Sequence, residues 1–316
     1  LPQIHTMQTL KNILDAELDR LISIQHFQEP AVGVSSGFKY LDRAINGFRP
    51  QHLYLLSAAP ESGKTAFLLN LLLNITVKKK NPAKALLYSL DISAAEVAQR
   101  LLSCNSAVTM EHVFYGTTKS EVIEKLYIDV DQIKDLSNNL FIEDYPSCSI
   151  ETIRAQLTEL KAQNQLPSIV VIDNINRIAV EGDPTPKSDD YGVIPASLIE
   201  QLKKIAIDFN IPLLVSPETT PVDPEVETDR MPRLYVLRQK NFNLHLIDVV
   251  MFLVSPQYYQ FPGEEEHQRH LSKLGHPMPP GFSEMHIRIP LNRCGPITTV
   301  YFTANMECQL VYEDGV

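Results

Sequence analysis

The chain lacks any apolar run long enough to cross a membrane as a helix, which takes about 20 residues. Its longest, around Leu68–Val77, is broken by Asn70 and Asn74. The first ten residues, LPQIHTMQTL, have no basic start followed by an apolar stretch, so no secretory signal is expected. Cysteine is scarce: Cys104, Cys148, Cys294 and Cys308 are scattered along 316 residues and share no short spacing. That argues against a disulfide scaffold and against a zinc site, and it favours a reducing cytoplasm. Each cysteine is expected to be a small buried apolar residue. Positive charge is also short, with 28 Lys and Arg against 38 Asp and Glu for a net charge of −10. Nothing therefore draws the whole surface to nucleic acid, and any DNA or RNA binding must use a local basic patch. His26, His52, His112 and His245 have no paired ligand spacing. His267 and His270 lie three apart beside Glu264–Glu266 in a polar stretch, where a solvated loop is the stronger reading than a metal site. There is no internal repeat and no low-complexity segment.

What is present is ordinary globular material, 44% apolar and 21% charged. Leu10, Ile13, Leu14, Leu18 and Leu21 recur at spacings of three and four, predicting an amphipathic helix over 7–24. Its stripe can pack on the chain's own core or on a neighbouring subunit. Pro30 and Gly33 then break the helix, which sets residues 1–30 apart as a helix and hinge from a domain over 31–316. Beyond the hinge, apolar strands alternate with helices. Strands are expected at Leu53–Ser57, Ala85–Leu90, Leu140–Ile142, Ser168–Ile172 and Ile211–Val215. Helices are expected at Thr65–Val77, Ser93–Ser103, Ser149–Ala162 and Pro195–Phe209. The runs Ile169–Ile172 and Leu213–Val215 do not alternate, as befits parallel strands covered on both faces. The prediction is an α/β fold, a mostly parallel central sheet flanked by helices. Val249–Val254, Glu284–Ile289, Ile297–Thr303 and Gln309–Tyr312 are expected to extend that sheet in antiparallel fashion. Ala179–Ile194 and Pro217–Leu237 read as long loops, which in compact domains are usually functional.

The strongest signal is Leu53-Tyr-Leu-Leu-Ser-Ala-Ala-Pro-Glu-Ser-Gly-Lys-Thr65, an apolar strand and a short loop that ends in Gly-Lys-Thr and opens a helix. This is P-loop context. Backbone N–H groups and the positive helix end would cradle phosphates over Pro60, Glu61, Ser62, Gly63, Lys64, Thr65 and Ala66. Lys64 supplies a point charge for the β- and γ-oxygens, and Thr65 a hydroxyl for Mg2+. The first Gly of the general pattern is Ala58 here. A second metal ligand should end another buried strand, and Asp173 after Ser168-Ile-Val-Val-Ile does so. Asp91 ends the strand that follows the P-loop helix. By position it could orient an attacking water or simply cap the next helix.

Together these segments resemble the DnaB-type replicative helicases. Ser36-Gly-Phe-Lys-Tyr-Leu-Asp-Arg-Ala-Ile-Asn-Gly-Phe48 is similar to that family's TGF-x-x-LD-x-x-x-x-GF entry, and Ala58–Phe67 to its AARPSMGKTAF, which also carries Ala at the first position. Tyr88–Ser93 with Arg100–Ser103 resembles FSLEMS…RLLS. Val170-Val-Ile-Asp-Asn-Ile175 resembles IVIDYLQ, and Arg293–Ile297 the KQRNGPIGTV region. The resemblance implies a RecA-like ATPase domain that binds ATP and Mg2+ between the subunits of a six-membered ring. Single-stranded DNA would thread its centre, and loader or primase proteins would be partners. It makes Asp91 the water-orienting acid and Arg293 an arginine finger acting in trans, and it makes residues 7–24 a linker helix docked on the next subunit. The chain departs from the family at three site positions: Asp91 replaces Glu, Pro217 replaces Gln, and Leu291 replaces a Lys. The first channel loop is acidic (Glu181, Asp183, Asp189, Asp190), and phosphate would be repelled there. Arg230, Arg233, Arg238 and Lys240, with Tyr235 interleaved, are the DNA-contact candidates, their alternative being a solvated loop. Two functions are thus in play: an ATP-driven helicase motor, and a nucleotide-binding subunit of weak turnover that regulates or assembles others.

Overall fold

A computed structural model of the chain describes residues 33–77, 82–117, 119–182, 193–217, 232–255 and 281–313, with some of 9–22. In chain order the elements are α1 (Lys39–Ile45), β1 (Leu53–Ser57), α2 (Lys64–Thr76), β2 (Ala85–Ser89), α3 (Ala94–Ser106), α4 (Met110–Tyr115) and α5 (Ser120–Leu136). These are followed by β3 (Leu140–Glu143), β4 (Cys148–Ser149), α6 (Ile150–Ala162), β5 (Ile169–Asp173), β6 (Ile178–Ala179), α7 (Leu198–Phe209), β7 (Leu213–Ser216) and α8 (Leu234–Gln239). The chain closes with β8 (Val249–Val254), β9 (Ser283–Asn292), β10 (Thr298–Asn305) and β11 (Leu310–Glu313).

One sheet runs β11-β10-β9-β8-β1-β7-β5-β2-β3. From β8 through β3 all neighbours are parallel, and β9, β10 and β11 continue antiparallel. The fold is therefore the expected mostly parallel α/β sheet with an antiparallel C-terminal extension. The extension begins one strand later than the sequence pattern suggests, because Val249–Val254 runs parallel to β1, with Tyr54 beside Val249. Burial explains its composition. Every residue of β1, β2, β5, β7 and β8 is buried, so none can alternate. One face packs on α1, α2 and α3, the other on α6, α7 and α8. The sequence pattern predicts nothing between Ser103 and Leu140, where α4 and α5 lie. Phe114, Tyr115, Tyr127 and Ile128 are exposed, but α5 also carries a partly buried apolar line, Val122, Leu126, Val130 and Ile133, at helical spacing.

Two parts of the sequence have clear local causes. Asp42, buried in α1, accepts hydrogen bonds from the Ser35 hydroxyl and from the Ser36 N–H, the latter at 2.7 Å. It ties the incoming chain to the helix. Between them Gly37 has φ +81°, and a Cβ there would stand 2.5 Å from the Asn74 Cβ on α2. Ser149 caps α6 as expected, accepting from the Thr152 N–H at 3.1 Å. Cys104, Cys148 and Cys308 are buried, and Cys294 is half-buried. Burial pushes the thiols of Cys148, Cys294 and Cys308 up, so these are packing residues. Among the described residues no helix is long and apolar enough to cross a membrane.

The helix that follows the Gly-Lys-Thr loop is anchored by an aromatic cluster. Phe67, three residues after Lys64, stacks on Phe38 at 5.5 Å and meets Phe302 edge-on at 5.4 Å. All three rings are buried. Phe67→Ala should lower unfolding stability by about 3–5 kcal/mol, read as a drop in the denaturant midpoint at unchanged slope.

Candidate functional site

Parallel strands point their carboxyl ends the same way, so the segments after β1, β2, β5 and β7 meet along one edge of the sheet. After β1 the chain turns through Ala58–Ser62 into α2. Gly63 occupies the position before the helix with φ +90°, and no side chain caps it. A Cβ on Gly63 would lie 2.9 Å from the Met285 Cε and 3.1 Å from the Met306 Cε. The loop is drawn tight from inside: the buried Ser62 hydroxyl donates to the Ala59 carbonyl at 2.6 Å. The open first turn of a 13-residue helix thus faces a cavity of about 530 Å3. Ala58, Ala59, Pro60, Glu61, Gly63, Lys64, Thr65 and Ala66 line one side of it.

Asp173 ends β5 at this edge and is 6% exposed. Its Oδ1 accepts from the Ser216 hydroxyl of β7 at 2.9 Å and faces the Lys64 Nζ at 3.2 Å; its Oδ2 accepts from the Thr65 Oγ1 at 2.9 Å. Lys64 also donates to the Pro217 carbonyl at 3.3 Å. So where a Gln side chain stands in the resembling family, Pro217 contributes a backbone oxygen. Thr65 and Asp173 form a hard-oxygen pair suited to Mg2+, which typically takes one or two protein ligands together with substrate phosphates and water. Among the described residues no group of three or more His, Cys, Asp or Glu could hold a metal without such a substrate. His267 and His270 lie outside the described residues.

Asp91 lines the same cavity, and it does not cap α3. Ser93 does so, accepting from the Glu96 N–H at 3.2 Å, while Asp144 accepts from the Ala94 N–H. Asp91 instead accepts from the Asn174 amide at 3.0 Å and from the Arg177 Nε at 3.3 Å. Three lining residues escaped the sequence reading: Arg100, Met306 and Gln309. Arg100 is held by Glu96 at 2.7 Å and by the Gln309 side chain at 2.9 Å. Met306 and Gln309 come from the β10–β11 turn, more than two hundred residues from the loop they face, and no local motif marks them. Arg100 stands inside a quoted motif, and its spacing from Asp91 was the available signal.

Arg293 lies elsewhere. Its N–H donates to the Asp248 carbonyl, whose own N–H donates to Leu53 at the first residue of β1. The Ala58–Ser62 loop follows the last residue of β1, so Arg293 sits at the opposite edge of the sheet, about 16 Å away for a five-residue strand. Its guanidinium donates to the His245 carbonyl at 2.8 Å. Leu291 packs on the apolar cluster beneath. Of the DNA-contact candidates, Arg233 and Arg238 are exposed on and beside α8. Lys240 is partly buried, which pushes its ammonium pKa down, and Arg230 lies outside the described residues.

Residues 33–312 match the family model of the DnaB-like helicase C terminal domain. The chain belongs to that family. A probable replicative DNA helicase of Trieres chinensis is 30% identical over 242 residues, 77% of this chain and 51% of that protein. Replicative DNA helicase DnaB of Geobacillus stearothermophilus is 25% identical over 259 residues, 82% of this chain and 55% of that protein. This DnaB-like chain therefore spans about half the length of the curated relatives it matches. Among solved structures, an ATPase domain aligns with a TM-score of 0.78 at 22% identity over 98% of this chain and 99% of its own. A DnaB-like replicative helicase, described with its interactions with primase, aligns at 0.75 and 22% identity over 97% of this chain and 67% of its own. At that identity the two structures speak for the fold alone. The DnaB-like helicase relatives imply, in general terms, use of a nucleotide and a divalent metal.

Gly63→Ala introduces a strained φ, worth about 1–3 kcal/mol, and pushes against two methionine methyls. A nucleotide titration of that variant should show affinity reduced about 10-fold or more.

Proposed function

We propose that residues 31–316 are the motor unit of a replicative DNA helicase, hydrolysing ATP with Mg2+ at the interfaces of a ring, six-membered by family likeness, to move along single-stranded DNA. The observation that carries this reading is the convergence of Lys64, Thr65 and Asp91 on one cavity below an uncapped helix start, with Asp173 bound to both Lys64 and Thr65. In it, residues Pro60 through Ala66 wrap the phosphates, Lys64 leaves Asp173 for the β- and γ-oxygens, and Thr65 and Asp173 hold the metal. Bound Mg2+ would neutralise charge that develops on the transferred phosphoryl group. Asp91 orients the attacking water. Turnover is favoured over the non-hydrolysing alternative because the cation, both metal ligands and an acid are all retained.

Arg293 stands at the far edge of the same sheet, out of its own cavity's reach, and Arg100, which does line the cavity, is held by Glu96 and Gln309. That separation supports a finger given to a neighbouring subunit. Two apolar surfaces support a seat for the neighbour. Leu10, Leu14, Leu18 and Ile22, on the helical residues within 10–22, are 44–70% exposed. An apolar cavity of about 430 Å3 between α2, α3, α5 and β3, lined among others by Leu73, Leu101, Leu102, Val130 and Ile133, suits such a stripe from the next copy. Residues 1–30 then act as linker helix and hinge. DNA contact is assigned to Arg230, Arg233, Arg238 and Lys240, of which the exposed Arg233 and Arg238 are the stronger pair. Loader and primase partners follow from family likeness only.

An arginine finger is worth about 10³–10⁵ in rate. Lys64→Ala and Arg293→Ala chains, assembled separately, should each lose DNA-stimulated ATP turnover by about 10³-fold. Co-expressed, they should recover a measurable fraction, since some interfaces then join an intact Lys64 to an intact Arg293. An active Arg293→Ala chain, or a mixture as inactive as its parts, would contradict the shared site.

A further inference from the structure

Asp91 is one methylene shorter than the Glu of the resembling family, about 1.5 Å less reach, and a displacement of about 1 Å can cost about 10²-fold in rate. The structure shows what holds this shorter acid. Leu90, its neighbour, donates its N–H to the Asp173 carbonyl at 2.7 Å, so the backbone beside Asp91 is stitched to the strand end that carries the metal carboxylate. Asn174, fully buried, comes directly after Asp173. Its Oδ1 accepts from the Asn176 N–H at 2.8 Å. That bond fixes which way the amide faces, leaving the Nδ2 to donate, and it donates to the Asp91 Oδ2 at 3.0 Å. The other oxygen, Oδ1, accepts from the Arg177 Nε at 3.3 Å. A carboxylate with a donor on each oxygen cannot turn about its last bond without breaking one of them. In the family string the residue after the strand-end Asp is Tyr, which has no amide to offer. The short acid and its amide partner are both departures from that string, and they touch.

We propose that Asn174 and Arg177 are positioning residues that hold the Asp91 carboxylate at the point where the attacking water must be met, and that this clasp compensates for the missing methylene. The proposal rests on the reading of Asp91 as the water-orienting acid. Asn174 provides the fixed anchor, since it is buried and bound at both ends of its amide. Arg177, with its side chain 58% exposed, provides a second donor and a counter-charge from the solvent side. Neither lines the cavity, so both would act through Asp91.

The test measures ATP turnover of the full chain with single-stranded DNA for Asn174→Ala, Arg177→Gln and Asp91→Asn, each made in the natural background and, for the first two, together with Asp91→Glu. Arg177 is exposed, so its substitution leaves the fold intact even if Asn174→Ala proves unstable. Expected is a fall in kcat of about 10-fold or more for Asn174→Ala and several-fold for Arg177→Gln, with KM for ATP within about threefold. Combined with Asp91→Glu, each loss should shrink to within about twofold, because the longer acid reaches without the clasp. Arg177→Lys should restore part of what Arg177→Gln loses. The clasp is overturned if both single variants keep kcat within twofold, or if their losses are the same with Asp91→Glu as without it. Unchanged turnover in Asp91→Asn would instead remove the acid's role and the reading beneath it.

Discussion

A lysine and an aspartate face each other at 3.2 Å across the carboxyl edge of a parallel sheet, their side chains 13% and 8% exposed. Everything else in the site is arranged around that contact. Lys64 opens a helix and Asp173 closes a strand, so the pair joins two elements over a hundred residues apart. Breaking one partner of a buried pair costs about 3–5 kcal/mol, because the other charge is stranded. Here Asp173 is also gripped by the Thr65 and Ser216 hydroxyls, and Lys64 by the Pro217 carbonyl. Each of these partners is an oxygen or a cation that phosphate and metal can take over. The charges are thus satisfied within the chain, and their contacts can be exchanged for those of a ligand.

The same sheet geometry that assembles the cavity keeps Arg293 away from it. Parallel strands gather their carboxyl ends at one edge, and the phosphate loop, Asp91, Asp173 and Pro217 all lie there. Arg293 directly follows β9 at the opposite edge, where β1 begins. No rotamer spans a five-residue strand. The Arg293 side chain at that far edge cannot reach the cavity of its own chain.

Much of this was legible in the sequence, for a physical reason. The cradle is built from contiguous residues, so Gly63-Lys64-Thr65 between a strand and a helix declares itself. Asp173 does so almost as well, because a fully buried parallel strand is a run of apolar residues and its end is visible. The mostly parallel sheet followed from the same non-alternating runs. What escaped depends on contacts that sequence distance hides. Met306 and Gln309 reach the cavity from the β10–β11 turn. The direction of β8 is set by its partner β1 and not by its own composition. The helices α4 and α5 expose several large apolar residues, and the partly buried line Val122, Leu126, Val130 and Ile133 on α5 was passed over among them. Asp91 was undecided between cap and acid from position alone, and the Ser93 cap removes the first of these. The departures at Asp91 and at the residue after Asp173 were readable one by one, but only the fold brings them within hydrogen-bond distance.

The most direct measurement is a crystal structure of the chain with a non-hydrolysable ATP analogue and Mg2+. Lys64 Nζ should leave Asp173 and the Pro217 carbonyl for the β- and γ-phosphate oxygens, and a metal ion should part Thr65 from Asp173. Analogue bound away from the Pro60–Ala66 loop, with the Lys64–Asp173 contact intact, would contradict the phosphate cradle and the motor built on it.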